Sequence, residues 1–436
     1  MRRKVFVLAA VALLATALPV SSAQAEPSTP ARRPVVFVHG SAGSAMQFQT
    51  QAKRLASNGY PAEIIEAHDY DSTFATETPD QIFARLDQRI ARLLAQTGAD
   101  KVDLLGHSLG TFMAQSYLAS PLRAATVAHY VNLDGRTATA LPGGVPTLAV
   151  WGEGSTERTI IGATNVYFSD QSHTQVVTSP ETFVQVYRFF TGAGPRTTQL
   201  LPEPPGRLTL SGRAVLFPTN VGVAGATLQV YAINPLTGAR RPGPPLETFV
   251  LPEDGSFGPF RALGFRRYEF ALVREGAATH HFYFQPSVRS DRLIRLLAGI
   301  PGQGLDALTE KSEAHTNLVI SRNKEWWGDQ GEGSDALYVN GQNILNAANT
   351  PRVKRAIGIF AYDRFVDRAT DLTAPIPAFF AQTFITGMDV YVPAAPANLG
   401  IAFVAVKSRT GGLELVNVPN WPSAQHRVTI QVNDYD

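Results

Sequence analysis

The chain has 436 residues, 44% of them hydrophobic and only 17% charged, with a formal net charge of +2. That length predicts two or three domains with sizeable cores, and basic and acidic residues are interspersed, with no Lys/Arg-rich run that would point to nucleic acid. Cysteine is absent, which removes disulfides, thiolate metal sites and cysteine nucleophiles at once.

Residues 1–25 have the form of a signal peptide. Arg2, Arg3 and Lys4 make a positive start, Val5 to Leu18 an apolar stretch, and Ala23-Gln24-Ala25 a small-residue cleavage site. The apolar stretch is short for a bilayer span, so the expectation is a secreted protein cleaved near Ala25, with no transmembrane segment in the mature chain.

Pro34 to Val38 is a continuous apolar run, as in a strand buried on both faces of a parallel sheet. His39-Gly40-Ser41 opens a glycine-bearing loop, and helical spacing follows from about Ala45 to Ser57. Glu63–Ala67 reads as a second strand and His68–Thr78 as a polar connection. Thr78-Pro79 then opens an amphipathic helix ended by Gly98, with Ile82, Phe83, Leu86, Ile90 and Leu93 on one face. Further strands are predicted at Lys101–Leu105, Val127–Leu133, Pro146–Trp151 and Asn165–Phe168. A last helix runs from Thr182 to Phe190, capped by Ser179. Strands alternating with helices predict a small doubly wound α/β domain over 34–191, with its chemistry beyond the carboxyl ends of the strands.

Residues 192–206 are rich in Gly and Pro and read as a linker. After it the periodicity becomes two, predicting an all-β region of barrel or sandwich type. It divides into 207–275 and 276–436, or forms one β unit over 207–436. Asp291–Leu297 reads as a helical interruption.

Gly106-His107-Ser108-Leu109-Gly110 lies between a predicted strand and a predicted helix. In that context Gly-x-Ser-x-Gly is a nucleophile elbow, a strained turn that exposes the serine hydroxyl. The expected chain order is Ser, acid, His. His173, in a polar loop before the last helix, is the candidate base. His129 lies inside an apolar strand and reads as structural, while His39 and His107 read as packing or bracing groups. Spacing leaves the acid open among Asp134, Glu153 and Asp170. The oxyanion hole needs two backbone N–H groups, for which Leu109 and Ser41 are the candidates. No metal or organic cofactor is called for by any ligand spacing.

The stretches Pro34–Ser44, Phe48–Glu63, Gly98–Phe112, Leu133–Gly135, Pro146–Val150 and Asn165–Phe183, with Val339–Leu345 and Thr373–Pro377 in the β region, resemble the Archaeoglobus-type lipases. These are secreted lipases with a small α/β-hydrolase core and a C-terminal β-barrel domain. The resemblance implies Ser108 as nucleophile, Asp134 as acid, His173 as base, and Ser41 and Leu109 as the hole. It implies a carboxylic ester hydrolase acting on acylglycerols or fatty-acid esters, possible at a lipid–water interface. The long helical insertion of the archaeal relative, between the second strand and the following helix, is missing here, so a more open site is expected. The alternatives are a polyester depolymerase or short-chain carboxylesterase on the same triad, or a non-catalytic protein that binds a polymer or cell surface.

Overall fold

The computed structural model describes residues 32–433, except Ser155 and 396–399. The signal-peptide reading falls on 1–25 and so lies outside the described residues.

Six parallel strands form the first sheet: β1 (Val35–Val38), β2 (Ile65–His68), β3 (Val102–His107), β4 (Val127–Leu133), β5 (Thr147–Trp151) and β6 (Thr164–Tyr167). Their order is β2-β1-β3-β4-β5-β6. The chain leaves β1 in one direction to form β2 and returns on its other side to form β3, so the order reverses between β1 and β3. Crevices at such a reversal are where open α/β sheets hold their ligands.

The described α-helices that accompany this sheet are α1 (Gln49–Ser57), α2 (Pro79–Thr97), α3 (Leu109–Leu118), α4 (Pro121–Ala124), α5 (Gln175–Thr178) and α6 (Pro180–Thr191). Two apolar clusters cover the two faces of the sheet. One joins Phe37, Leu105, Val131 and Val150 to residues of α1 and α6, and the other joins Val36, Leu104 and Tyr130 to α2 and α3. The strands are therefore apolar on both sides, as their unbroken hydrophobic runs require. Local signals set the helix ends. Thr78 and Gln81 form a reciprocal capping box with Pro79 at the first position, and Gly98 closes α2 at φ 69°. No helix lies between β2 and α2 among the described residues.

The regular elements described between residues 207 and 433 are mostly strands. Eight of these make one sheet, in the order Glu247–Val250, Thr227–Ala232, Tyr268–Val273, Thr279–Phe284, His426–Val432, Leu318–Arg322, Gly358–Tyr362 and Ile385–Asp389. Strands from both sides of residue 276 thus share a single sheet. A four-stranded sheet containing Leu208–Leu216 packs on it.

Asp291–Ala298 is a strand of that second sheet, parallel to Leu208–Leu216, and not the helix expected at Asp291–Leu297. Both of its faces are covered. Ile294 and Leu296 join the β core, while Leu293 joins the hydrolase core and Arg295 reaches Asp69. An apolar run buried on two sides loses its alternation and imitates helical spacing.

Candidate active site

Ser108 occupies the turn between β3 and α3 at φ 51°, ψ −121°. Positive φ is strained for a residue bearing Cβ. The flanking glycines make the turn possible. A Cβ on Gly106 would lie 2.7 Å from the Gly110 carbonyl oxygen, and one on Gly110 would lie 2.2 Å from the Val38 oxygen. Helix α3 therefore starts hard against the end of β1.

Asp134 follows β4 and is also at positive φ, 43°. Its Oδ2 lies 2.6 Å from His173 Nδ1. Its Oδ1 accepts from the Gly152 N–H at 2.9 Å and pairs with Arg158 at 2.7 Å. Burial alone would raise this carboxyl, but the bonds from His173, Gly152 and Arg158 outweigh it and hold the group at about 2. An ionised carboxylate only accepts hydrogen bonds, so the proton of the imidazole sits on Nδ1 and the Nε2 lone pair is left for a substrate proton.

The His107 ring packs at 4.7 Å from the His173 ring, and its Nε2 donates to the His173 carbonyl at 2.9 Å. Burial, then the neighbouring His173, lowers His107 to about 3, so it stays neutral. It braces the loop that carries His173. The loop therefore stands beside the elbow. A hydrogen bond between the Ser108 hydroxyl and His173 is not among those formed by the described residues; such contacts are often long before substrate arrives.

On the other side lies the His39–Gly43 loop. The Gly40 N–H donates to Gln47 Oε1 at 3.4 Å and the Ala42 N–H to Ser72 Oγ at 2.9 Å. The Ser41 N–H between them has no such partner among the described residues, and neither has the Leu109 N–H. Both belong to positions that would have to donate to an oxyanion. His39 is fully buried. Its Nδ1 donates to Gly40 O at 2.8 Å and its Nε2 accepts from the Tyr70 N–H at 3.2 Å. It ties the loop to β2's exit.

The other acid candidates are elsewhere. Glu153 pairs with Arg352 and Arg355 of the β region. Asp170 is exposed. His129 bonds Asp103 at 2.8 Å on the sheet, away from the elbow.

Several residues that hold this site were not legible as such, and they come from the β region. The carboxylate of Glu325, fully buried, accepts from Ser172 Oγ and from the Thr174 N–H at 2.7 Å, gripping both neighbours of His173. Arg409 donates to Ser172 Oγ and Gln175 Oε1. The Phe384 ring lies parallel to His173 at 6.3 Å. The Asn220 amide donates to Gly43 O at 2.9 Å and Tyr70 O at 3.0 Å, and reaches His39 Nε2 at 3.3 Å. Asp69 accepts from Ala45 N–H and pairs with Arg213 and Arg295.

Family models match along the chain: the alpha/beta hydrolase fold over 33–173, the lipase C-terminal domain over 206–301, and a further C-terminal domain over 304–436. Residues 33–173 have the α/β-hydrolase fold, and the all-β region after them is similar to a lipase C-terminal domain. Among solved structures, the chain is similar to the product of gene lin2722 of Listeria innocua, at 15% identity over 38% of this chain and 96% of that one, with a TM-score of 0.29. It is also similar to Aspergillus fumigatus lipase B, at 13% identity over 38% of this chain and 54% of that one, with a TM-score of 0.31.

Beside the His39–Gly43 loop, a cavity of about 430 Å³ begins at Ala42, Gly43 and Ser44 and continues into the β region. Leu297, Leu318, Phe360, Ile385 and Val428 are among its walls, as is Phe384, whose ring lies 6.3 Å from that of His173. No group of three or more metal-ligating side chains occurs among the described residues, and no described helix is long and apolar enough to cross a membrane.

Proposed function

We propose that the protein is a secreted serine ester hydrolase of the Archaeoglobus lipase type, with 34–191 as its catalytic unit, 192–206 as connector and 207–436 as the part that completes the site and receives the acyl chain. The carrying observation is the 2.6 Å contact of Asp134 with His173 beside an elbow that presents Ser108 at strained φ.

In this reading Ser108 Oγ attacks the ester carbonyl while His173 Nε2 takes its proton. The carbonyl oxygen becomes an oxyanion held by the N–H groups of Ser41 and Leu109. The intermediate collapses, the ester C–O bond breaks, and His173 returns the proton to the leaving alkoxide, releasing alcohol. Water then attacks the acyl-enzyme, His173 takes the water proton and passes it to Ser108 Oγ, and the carboxylic acid leaves. Asp134 stabilises the imidazolium in both halves.

The apolar cavity next to the Ser41 loop favours acylglycerols or fatty-acid esters over short acetyl esters. A fluorophosphonate should label Ser108, and Ser108→Ala should lower kcat by about a million-fold, as loss of the serine does in subtilisin. Retained hydrolysis in that variant would overturn the assignment. No adduct on Ser108 would favour a non-catalytic binding protein.

A further inference from the structure

The cavity has two chemically different ends. The strand registers show how far apart they are. Gly358 pairs with Ser321 and Ile385 at one level of the sheet, the level next to Phe384 and His173. At the other end Leu318 pairs with Ala361 and with Val428, so Arg427 stands at the level of Tyr362. The lining runs from Ile357, just before the strand Gly358–Tyr362, to Tyr362 at its end. Five steps of about 3.4 Å separate them, or roughly 17 Å. An extended hydrocarbon with C–C bonds of about 1.5 Å advances roughly 1.3 Å per carbon, so about a dozen carbons fill that length.

The far end is basic. Arg274, Arg427, Asp306 and His280 all line it. Asp306 is already engaged, by Arg427 at 2.6 Å, Lys311 at 2.9 Å and the Gly302 N–H at 2.7 Å. His280 Nε2 is bonded to Thr429 Oγ1 at 2.8 Å, and burial, then the nearby Arg274, keeps its ring well below the usual histidine range. Arg274 is different. It donates to the Gly299 carbonyl at 2.7 Å and feels the already engaged Asp306 at longer range, but no carboxylate forms an ion pair with it among the described residues. Its Nε is buried without a hydrogen-bond partner. A half-buried guanidinium that lines the end of an apolar passage without an ion-pair partner is stabilised by an anion that reaches it through the passage.

We propose that this cavity receives an aliphatic chain of about a dozen carbons that ends in a carboxylate, with the carboxylate on Arg274. The carboxylate has two possible sources. It belongs to a free fatty acid lying in the cavity, or to the distal end of an α,ω-dicarboxylic acid whose other end is esterified at Ser108. The second source rests on the esterase reading; the binding itself does not.

The test is a pair of measurements on the full chain. In titration calorimetry the wild type should bind dodecanoate about tenfold more tightly than dodecan-1-ol, the effect of a single charge-assisted contact. Arg274→Gln should remove that preference and Arg274→Lys should retain most of it. Equal binding of acid and alcohol by the wild type overturns the proposal, as does an undiminished preference in Arg274→Gln. Calorimetry needs no turnover, so failure of the esterase reading is seen separately, as no hydrolysis of 4-nitrophenyl butyrate. The second measurement compares kcat/KM for mono-4-nitrophenyl dodecanedioate and 4-nitrophenyl dodecanoate. A half-ester preference that Arg274→Gln abolishes identifies the substrate's own distal carboxylate. Tight dodecanoate binding without that preference identifies the free acid.

Discussion

Every group proposed for the chemistry comes from residues 34–191, in loops that follow strands of one parallel sheet. Residues 207–436 contribute none of them, yet they supply the hydrogen bonds that hold two of those loops. Glu325 bonds both neighbours of His173, and Asn220 bonds the loop that carries Ser41. Arg295 and Arg213 meet Asp69, whose other oxygen accepts from Ala45 just beyond that loop. In many enzymes a second domain adds substrate contacts to a site that is already complete. Here the site's precision is shared between regions. No helix lies between β2 and α2 among the described residues, and a β-region ring, Phe384, lies parallel to the imidazole at 6.3 Å.

That division can be broken at either side, with different expected sizes. The largest effect should come from the chemical side. Asp134→Asn should lower kcat by about ten-thousand-fold, by presenting the wrong histidine tautomer, with little change in KM. An equal loss in Glu153→Gln would move the acid to the other residue.

Next is Glu325→Gln. It keeps one acceptor but removes the charge that holds both Ser172 and Thr174. The expected loss is about ten- to a hundredfold in kcat, roughly 1.4–2.8 kcal/mol of barrier, with KM nearly constant. A variant that loses only thermal stability would show Glu325 to be a domain tie and nothing more. Asn220→Ala should cost less, about tenfold, because the Ser41 N–H is displaced rather than deleted and outright loss of an oxyanion donor costs about a hundredfold or more. Steady-state kinetics at saturating substrate reads both.

The smallest effect should be Glu153→Gln. Its pairs with Arg352 and Arg355 are partly exposed, with 30% and 44% of the arginine side chains accessible. Such pairs contribute about 1 kcal/mol or less, so kcat should stay within about twofold and only the unfolding midpoint should fall slightly.

Acid titration sharpens the same contrast. Asp134 is held at about 2 in the folded chain, below its ordinary value of about 3.9. Its contribution to stability is complete above pH ~4 and is lost as the pH falls towards 2. His107, neutral down to about 3, acts over a higher window: the unfolded chain takes up its proton first, so stability declines as the pH drops from about 6.5 towards 3. Unfolding midpoints between pH 7 and 2 should show both, and Asp134→Asn should flatten only the lower part.

Much of the hydrolase half was legible from the chain itself. The elbow was readable because two glycines and a serine at fixed spacing satisfy a local steric problem. The ends of α2 were readable because capping is decided by residues within one turn. His173 could be singled out because fold topology restricts the chain order of the three groups, and its ring lies 2.6 Å from Asp134. Spacing alone left the acid open, since Asp134, Glu153 and Asp170 all follow strands; the family resemblance pointed to Asp134, and it is Asp134 that lies 2.6 Å from the imidazole. Asp291–Ala298 was misread because its apolar side chains serve two cores at once.

Glu325 and Asn220 carry no sequence signal at all. Their partners lie some 150 residues or more away, and their work is to satisfy backbone donors and acceptors whose positions do not exist until the chain has folded. Local sterics, periodicity and turn chemistry are written in neighbouring residues, so the elbow, the sheet and the helix caps are set by the sequence alone. Which carboxylate meets the imidazole, which amides stay free, and which guanidinium is left unpaired at the end of a cavity depend on long-range packing, and only the tertiary structure decided them.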